Sequence, residues 1–519
     1  MCVDSLVRAG PRVPCVETGL PLPGETDGAR GSVVSFAGAG LLMSSSSGTG
    51  ISRLKALLGS GGWLDTPAEM AGYLQESRGQ WGGASPLVVR PGDTATVAEV
   101  VRICAAHDLA VVPQGGNTGR MAAACPQDRD REVVLSLERM RRIRRQDRAD
   151  RALEVEAGCT LRQVHEAAVA MGCLFGLDLG SAGSAQVGGL IATNAGGVRT
   201  LRDGCMRQQV LGLEVVLADG RIWRGLSRLR KENTGGDLNQ LFIGTEGILG
   251  VITAASLRVR PHPERQETLW AAVPDPAAAL ALLLRLQAVT GEALSAFELM
   301  PRLGVAFAVR HCPDAVWPLP AASGPWFVLA EAEASGVAAR FLRETLETAL
   351  AEALAAGEIA DAVLAAGSRQ RQGLWRVREG LVEAQSREGV SLKHDLAVPV
   401  SALPVFLDEA LAWVAAEIPG VRPVVFGHLG DGSLHFNLTQ PEGADPQAFR
   451  ARGAGLARGL HDRALAVGGA ISAEHGIGLA KREEWVRTTP AEKQDLLRRL
   501  KMALDPQARF NPGKILPPR

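Results

Sequence analysis

The 519-residue chain has no surplus charge of either sign: 56 lysines and arginines balance 56 aspartates and glutamates, and the isoelectric point is near 7.1. No global field therefore recruits nucleic acid or an anionic membrane surface. Paired cysteines are also missing. Eight cysteines occur and none stands in a C-x-x-C pair, which excludes a zinc ribbon and a ferredoxin-like iron–sulfur module. Their scatter suits a reducing compartment, and a cytoplasmic protein is expected. No apolar run reaches the roughly 18 residues that a membrane span needs. The stretch at 277–284 reads as a helix core, and the apolar residues 33–43 are too few and lack the flanks of a signal peptide.

What the chain has in excess is glycine, 60 residues, which implies tight turns or close approach of backbone to a ligand. Its length exceeds one ordinary core and predicts two or three domains. Residues 1–60 are rich in Gly, Ser and Pro and lack periodicity, so they read as a disordered leader, with Met43 before SSSSGTG as an alternative start. A helix is expected from Leu64, with Thr66-Pro67 as its start signal, then a strand opening at Leu87, a helix over 94–107 and a strand over 109–113, a βαβ unit. That strand leads into PQGGNTGR at 113–120. Its glycines let backbone N–H groups cradle a phosphate, although taken alone the loop is as well read as a surface loop. A second run, LDLGSAGSAQVGGLIATNAGG at 177–197, is nearly free of bulky side chains, as backbone packed against a flat or phosphate-bearing ligand would be. The basic cluster RMRRIRRQDRADR at 139–151 reads as a solvated connector. A hairpin over 211–224 turns at Asp219-Gly220, a strand covers 251–260, and Pro261 with Pro263 marks a boundary.

Chemistry concentrates in VVFGHLGDGSLHFNL at 424–438. Two apolar runs flank Asp431-Gly432, so His428 and His435 are expected opposite each other on one face of a hairpin, about 5 Å apart. Strand alternation puts Asn437 on that face and Phe436 on the other. ISAEHGIG at 471–478 offers Glu474 as a third ligand. His/His/carboxylate suits zinc or a similar divalent ion with positions open for substrate, while His475, one residue on, is free for proton transfer. In LWRVREGLVEAQSREGVSLKHDL, a helix followed by a strand, Arg378 has only apolar neighbours at helical spacing. An ion pair within the helix is therefore not expected, and this buried cation needs an anion. Arg378 and Lys393 are the candidate partners of a dicarboxylate. His165 and His394 read as structural.

PQGGNTG, GSAGSAQVGGLIATNAGG and RKENTGGDLNQLFIGTEGILGVIT resemble the flavin half of the FAD-linked oxidases of the vanillyl-alcohol oxidase type. SAFELM at 295–300, LKHDLAVPV, GHLGDGSLHFN, SAEHGIG and LKMALDPQARFNPGKIL resemble the other half of its D-2-hydroxyacid dehydrogenase branch, nearest the members that oxidise D-2-hydroxyglutarate. The resemblance runs in order from about Leu64 to the C-terminus. It implies an α+β fold: a two-subdomain FAD module over 61–262, a substrate domain over 263–465 with an antiparallel sheet covered by helices, and a segment over 466–519 that returns to the flavin. It implies FAD contacts at Gln114, Gly115, Gly116, Asn117, Thr118, Ser184, Gly188, Gly189, Thr193, Asn194, Gly197, Glu246, Gly247 and Ile252. It further implies a divalent metal, zinc in the first instance, on His428, His435 and Glu474, with His475 as general base and Arg378, Lys393 and Asn437 at the substrate.

Four positions depart from the pattern. Ala122 and Ala123 replace a glycine pair, Asn117 stands where some relatives carry a flavin-linked histidine and so implies non-covalent FAD, Ser433 replaces an asparagine, and Val382 replaces a threonine near the substrate. The implied activity is oxidation of a D-2-hydroxyacid, D-2-hydroxyglutarate first, by hydride transfer to flavin. With no iron–sulfur or haem motif in the chain, the electrons are expected to go to an external acceptor such as an electron-transfer flavoprotein or a quinone pool. D-Lactate or glycolate is the second choice of substrate, and a homodimer is left open. A flavin-binding subunit without catalysis and a flavin-free metal hydrolase are the readings from other classes.

Overall fold

The computed structural model of the protein describes residues 39–319 and 324–518, and residues 46–519 form one compact unit. Three sheets of four or more strands organise that unit into an α+β architecture. The first has four strands in the order Trp63–Leu64, Val88–Val89, Glu132–Ser136, Ala110–Gln114. The expected βαβ unit is present with one change: the strands on either side of helix Thr94–Ala106 both pair in parallel with Glu132–Ser136, which lies between them. The second sheet is antiparallel: Ile143–Asp147, Ala152–Glu156, Val251–Arg258, Val210–Val216, Ile222–Gly225. The third has seven antiparallel strands, ordered Asp361–Leu364, Arg265–Val273, Trp326–Ala334, Leu294–Pro301, Arg422–His428, Ser433–Thr439, Ser391–Ala397.

One face of the seven-stranded sheet packs Phe297, Val425, Phe436 and Leu438 against helices Pro276–Thr290, Leu403–Glu417 and Gly453–Ala466. The other packs Trp270, Phe327 and Phe426 against Arg302–His311 and Ser368–Arg387. A fully buried side chain of this size contributes about 1.5–3 kcal/mol, so the sheet is rigid enough to hold polar groups on its second face.

The chain's end returns to the first two sheets. Phe510 pairs with Val111 and sits in the core of the first sheet, and Ile471, Trp485 and Ile515 enter the core of the second. Lys501 fixes this return by donating to Ile248 O, Phe510 O and Asp505.

Two expectations are corrected. The leader that was to lack packed structure as far as residue 60 carries a helix, Ala39–Leu58, whose Leu54 is fully buried in the core of the first sheet; residues 1–38 lie outside the described part. The basic cluster is no mere connector, since Ile143–Asp147 is an edge strand. Its arginines lie on buried acids of the sheet, Arg142 and Arg144 on Glu156 and Arg144 on Glu214, which compensates carboxylates that burial would otherwise penalise.

Candidate metal and flavin site

The hairpin closes two residues away from the expected register. His428 faces Ser433 and Phe426 faces His435, because four residues, Leu429 to Gly432, make the turn: a single 3-10 turn ended by Gly432 at φ +81°, a left-handed conformation that suits glycine. The two histidines are therefore diagonal rather than opposite. They still share a face with Asn437, and the imidazole arms close the gap to a ring separation of 6.2 Å.

Glu474 arrives between them. Its Oε1 lies 3.0 Å from His428 Nε2 and its Oε2 lies 4.0 Å from His435 Nε2. One ligand atom from each of the three residues can be chosen so that all lie within 4.8 Å of one another. The donor set thus fits a divalent ion in both chemistry and spacing. His428 Nδ1 is hydrogen-bonded to Glu298, directly opposite it across the neighbouring strand. That is the outer carboxylate a metal-bound imidazole usually has. Burial would strip the His428 proton, yet Glu298 and then Glu474 outweigh it and hold the pKa well above the ordinary value. An ion entering between His428 and Glu474 would displace that proton. Burial would likewise raise Glu474, but the His428 hydrogen bond and charge, with His435, hold it down at about 2. His435 is pushed down to about 4 by burial, so it is neutral, the form that ligates.

His475, one residue on, shares this site. Its ring stacks on His435 at 5.8 Å and 17° and lines the same cavity. Beneath it lies Asp395, fully buried, which accepts from the backbone N–H groups of Glu474 and His475, at 3.2 and 3.0 Å, and from Ser472 Oγ at 2.8 Å. One carboxylate thereby fixes the loop that carries both side chains. His475 Nδ1 is 3.5 Å from Asp395 Oδ2, and burial lowers the imidazole pKa in spite of that charge.

Arg378 is buried, and the anion it needs is Glu298: Nε donates to Oε2 at 2.7 Å, with Phe426 beneath the guanidinium at 4.7 Å. The ion pair excluded along the helix is made instead across the fold. Burial would raise Glu298; Arg378 and His428 together hold it at about 2. Sequence reasoning gave no role to Glu298 or Asp395, although each is an acid inside an apolar strand, and that is the signal for a buried pair. Lys393 faces Asn437 across two strands, and both line the cavity with Arg378. His394 and His165 hydrogen-bond to the backbone carbonyls of Phe436 and Leu177, at 2.8 and 2.7 Å.

This cavity, of about 1350 Å³, runs into a narrower one lined by the two glycine-rich segments. Gln114, Gly115, Gly116, Asn117, Thr118, Gly188, Gly189, Thr193, Glu246, Gly247 and Ile252 line the narrower cavity, and Ser184 and Gly197 the larger. A Cβ on Gly116 would stand 1.8 Å from Ser184 O, so the segments pack backbone on backbone. Gln186 Oε1 is buried there without a hydrogen-bond partner, an acceptor suited to a bound ligand's donor. These walls fit FAD.

Several side chains expected at the flavin are engaged elsewhere. Asn194 lines neither cavity, and its Oδ1 accepts from Arg207 N at 2.9 Å. Gln114 and Asn117 brace the loop by donating to the carbonyls of Tyr73 and Ala124 and of Gly72 and Gln75. The Glu246 carboxylate accepts from Ile477 N and Gly478 N, both at 2.7 Å, tying the flavin wall to the loop of Glu474 and His475. Ala122, one of the residues replacing glycine, has φ +55°, and Met121 O accepts from Leu479 N of the C-terminal segment at 2.9 Å.

Residues 85–225 match an FAD binding domain and residues 262–515 match the C-terminal domain of FAD linked oxidases. The chain is 38% identical to the mitochondrial D-2-hydroxyglutarate dehydrogenase of Bos taurus, over 84% of this chain and 77% of that one. It is 34% identical to the D-2-hydroxyglutarate dehydrogenase of Xanthomonas citri pv. viticola, over 86% and 93%. Its fold is similar to that of p-cresol methylhydroxylase with substrate bound, with a TM-score of 0.67 at 16% identity over 91% of this chain and 97% of that one. The expected cytoplasmic location is overturned by the first of these relatives, which is named a mitochondrial enzyme. Unpaired cysteines report a reducing environment and do not distinguish one reducing compartment from another.

Proposed function

We propose, from the premise that this chain belongs to the FAD-linked oxidase family and lies among its D-2-hydroxyglutarate dehydrogenases, that it oxidises D-2-hydroxyglutarate to the 2-oxoacid with a divalent metal's help. The observation that carries the metal reading is the meeting of His428, His435 and Glu474 beside His475, on a cavity continuous with the glycine-rich walls. When bound, FAD supplies the hydride acceptor, and the ion supplies a Lewis acid for the substrate hydroxyl. His428, His435 and Glu474 would hold the ion, zinc being the first choice for this ligand set.

The chain's own residues do the rest. His475 is uncharged because it is buried, and with Nδ1 turned to Asp395 its Nε2 is the atom that takes the hydroxyl proton. Asp395 orients the ring and stabilises the imidazolium that forms. Arg378, Lys393 and Asn437 meet the substrate's carboxylates. The α-hydrogen leaves as hydride and the product is a 2-oxoacid. An external acceptor, such as an electron-transfer flavoprotein, would take up the electrons that the hydride carries.

A dye-coupled assay on several D-2-hydroxyacids, run before and after chelation, tests this. The expected result is a preference for D-2-hydroxyglutarate that is lost with chelator and restored by a divalent ion. Equal rates on D-lactate, or full activity without metal, would remove the reading. D-Lactate or glycolate remains the second substrate class, favoured by Val382, which offers no hydrogen bond to the cavity it lines.

A further inference from the structure

The charges on the cavity wall are unevenly matched. Arg199 pairs with Asp178 at 2.8 Å, Arg376 with Asp314 at 3.4 Å and Arg378 with Glu298 at 2.7 Å, and Arg371 hydrogen-bonds to Gln266. Arg78, Arg120 and Lys393 line the same cavity, and among the described residues no acid forms an ion pair with any of them. Arg78 Nη2 is fully buried with no hydrogen-bond partner at all. These three come from separate parts of the chain: a loop after helix Pro67–Leu74, the residue that ends the glycine loop, and strand Ser391–Ala397. Half-buried like charges repel and lose hydration, a cost that only an anion offsets. Lys393 and Arg78 feel their neighbours: after burial itself, Arg78 and Arg120 push Lys393 down to about 8, and Arg120 lowers Arg78.

We propose that Arg78 and Arg120 join Lys393, already placed at the substrate, in an anion subsite that takes the carboxylate distal to the substrate's hydroxyl. The inference rests on the 2-hydroxyacid reading above and adds what selects a dicarboxylate within it. Lys393 stands opposite Asn437, two residues along the strand from His435 on the same face. A substrate whose α-carboxylate and hydroxyl lie at the His428–His435–Glu474 cluster thus extends toward these cations. Val382 lines the cavity and is 37% exposed, yet it can donate nothing, so two of the three donors, Arg78 and Arg120, come from the flavin half instead.

The test compares kcat/KM of the holoenzyme on D-2-hydroxyglutarate and on D-2-hydroxypentanoate, which has a methyl in place of the distal carboxylate. Arg120→Gln and Arg78→Gln should each lower the ratio roughly 10- to 100-fold, and Arg120→Lys should restore part of it. Binding of glutarate and butyrate to the holoenzyme, followed by calorimetry, gives a readout independent of turnover. Glutarate should bind the wild type more tightly than butyrate does, and Arg120→Gln should remove the difference. An unchanged ratio with unchanged glutarate binding would overturn the subsite. So would a loss of flavin absorbance in the variants without a change in the ratio, since the cations would then serve the cofactor. If no 2-hydroxyacid is oxidised at all, the functional reading falls, and the glutarate comparison still decides the subsite.

Discussion

The two halves of this molecule build their walls by opposite means. In the flavin half the ligand-facing surface is mostly main chain. Glycines set backbone against backbone, as at Gly116 under Ser184, and side chains such as Gln114, Asn117 and Asn194 are spent on bracing loops. In the substrate half the surface is side chain, and each functional group is held by another from a distant element: His428 by Glu298, His475 by Asp395, Glu298 by Arg378. Each half is therefore vulnerable in its own way. A backbone wall fails when a Cβ is added; a side-chain wall fails when a charge is removed.

The largest effect is expected in the backbone wall. In Gly116→Ala the new Cβ meets a carbonyl at 1.8 Å, so the purified protein should have lost most of its flavin absorbance; full flavin retention would show that the wall yields. Next, His475→Ala should keep flavin and metal while turnover falls about 10²-fold or more, the scale of a lost general base. Unaltered turnover would reduce His475 to packing. Glu298→Gln should weaken metal binding about 10- to 100-fold through His428, with flavin absorbance unchanged; wild-type metal affinity in this variant would break the chain of support from Arg378 to the ion. The smallest effect is in pH. Lys393, lowered by burial and by Arg78 and Arg120 to about 8, is a cation below that pH and neutral above it. The KM for D-2-hydroxyglutarate should therefore be flat below about pH 7 and rise several-fold as pH passes 8. A KM that is flat through pH 9 would place the Lys393 charge outside substrate binding.

How much of this the sequence disclosed follows the same division. Backbone function leaves a local trace, so PQGGNTG and the small-residue run at 177–197 point to the flavin walls directly. The hairpin face was legible too, since alternation fixes which of His428, Phe436 and Asn437 share a side; the two-residue offset was not, because it depends on how many residues the turn takes. Long-range pairing leaves no such trace. Glu298 and His428 are 130 residues apart, and Glu246 and Ile477 are 231 apart. The helix offers Arg378 no acid at the i±3 and i±4 positions, and only the fold brings one to it. Burial of an acid in an apolar strand, as in AFELM or KHDLA, was the hint available. It says that a partner exists without naming it.

In the reading proposed above, His428, His435 and Glu474 hold one ion beside a bound flavin. Metal and flavin content per chain, measured on the wild type and on Glu474→Gln, tests it most directly. Near-equimolar divalent metal and FAD are expected in the wild type, and FAD without metal in the variant. A variant that keeps the ion, or a wild type that binds flavin but takes up no divalent metal, would contradict it.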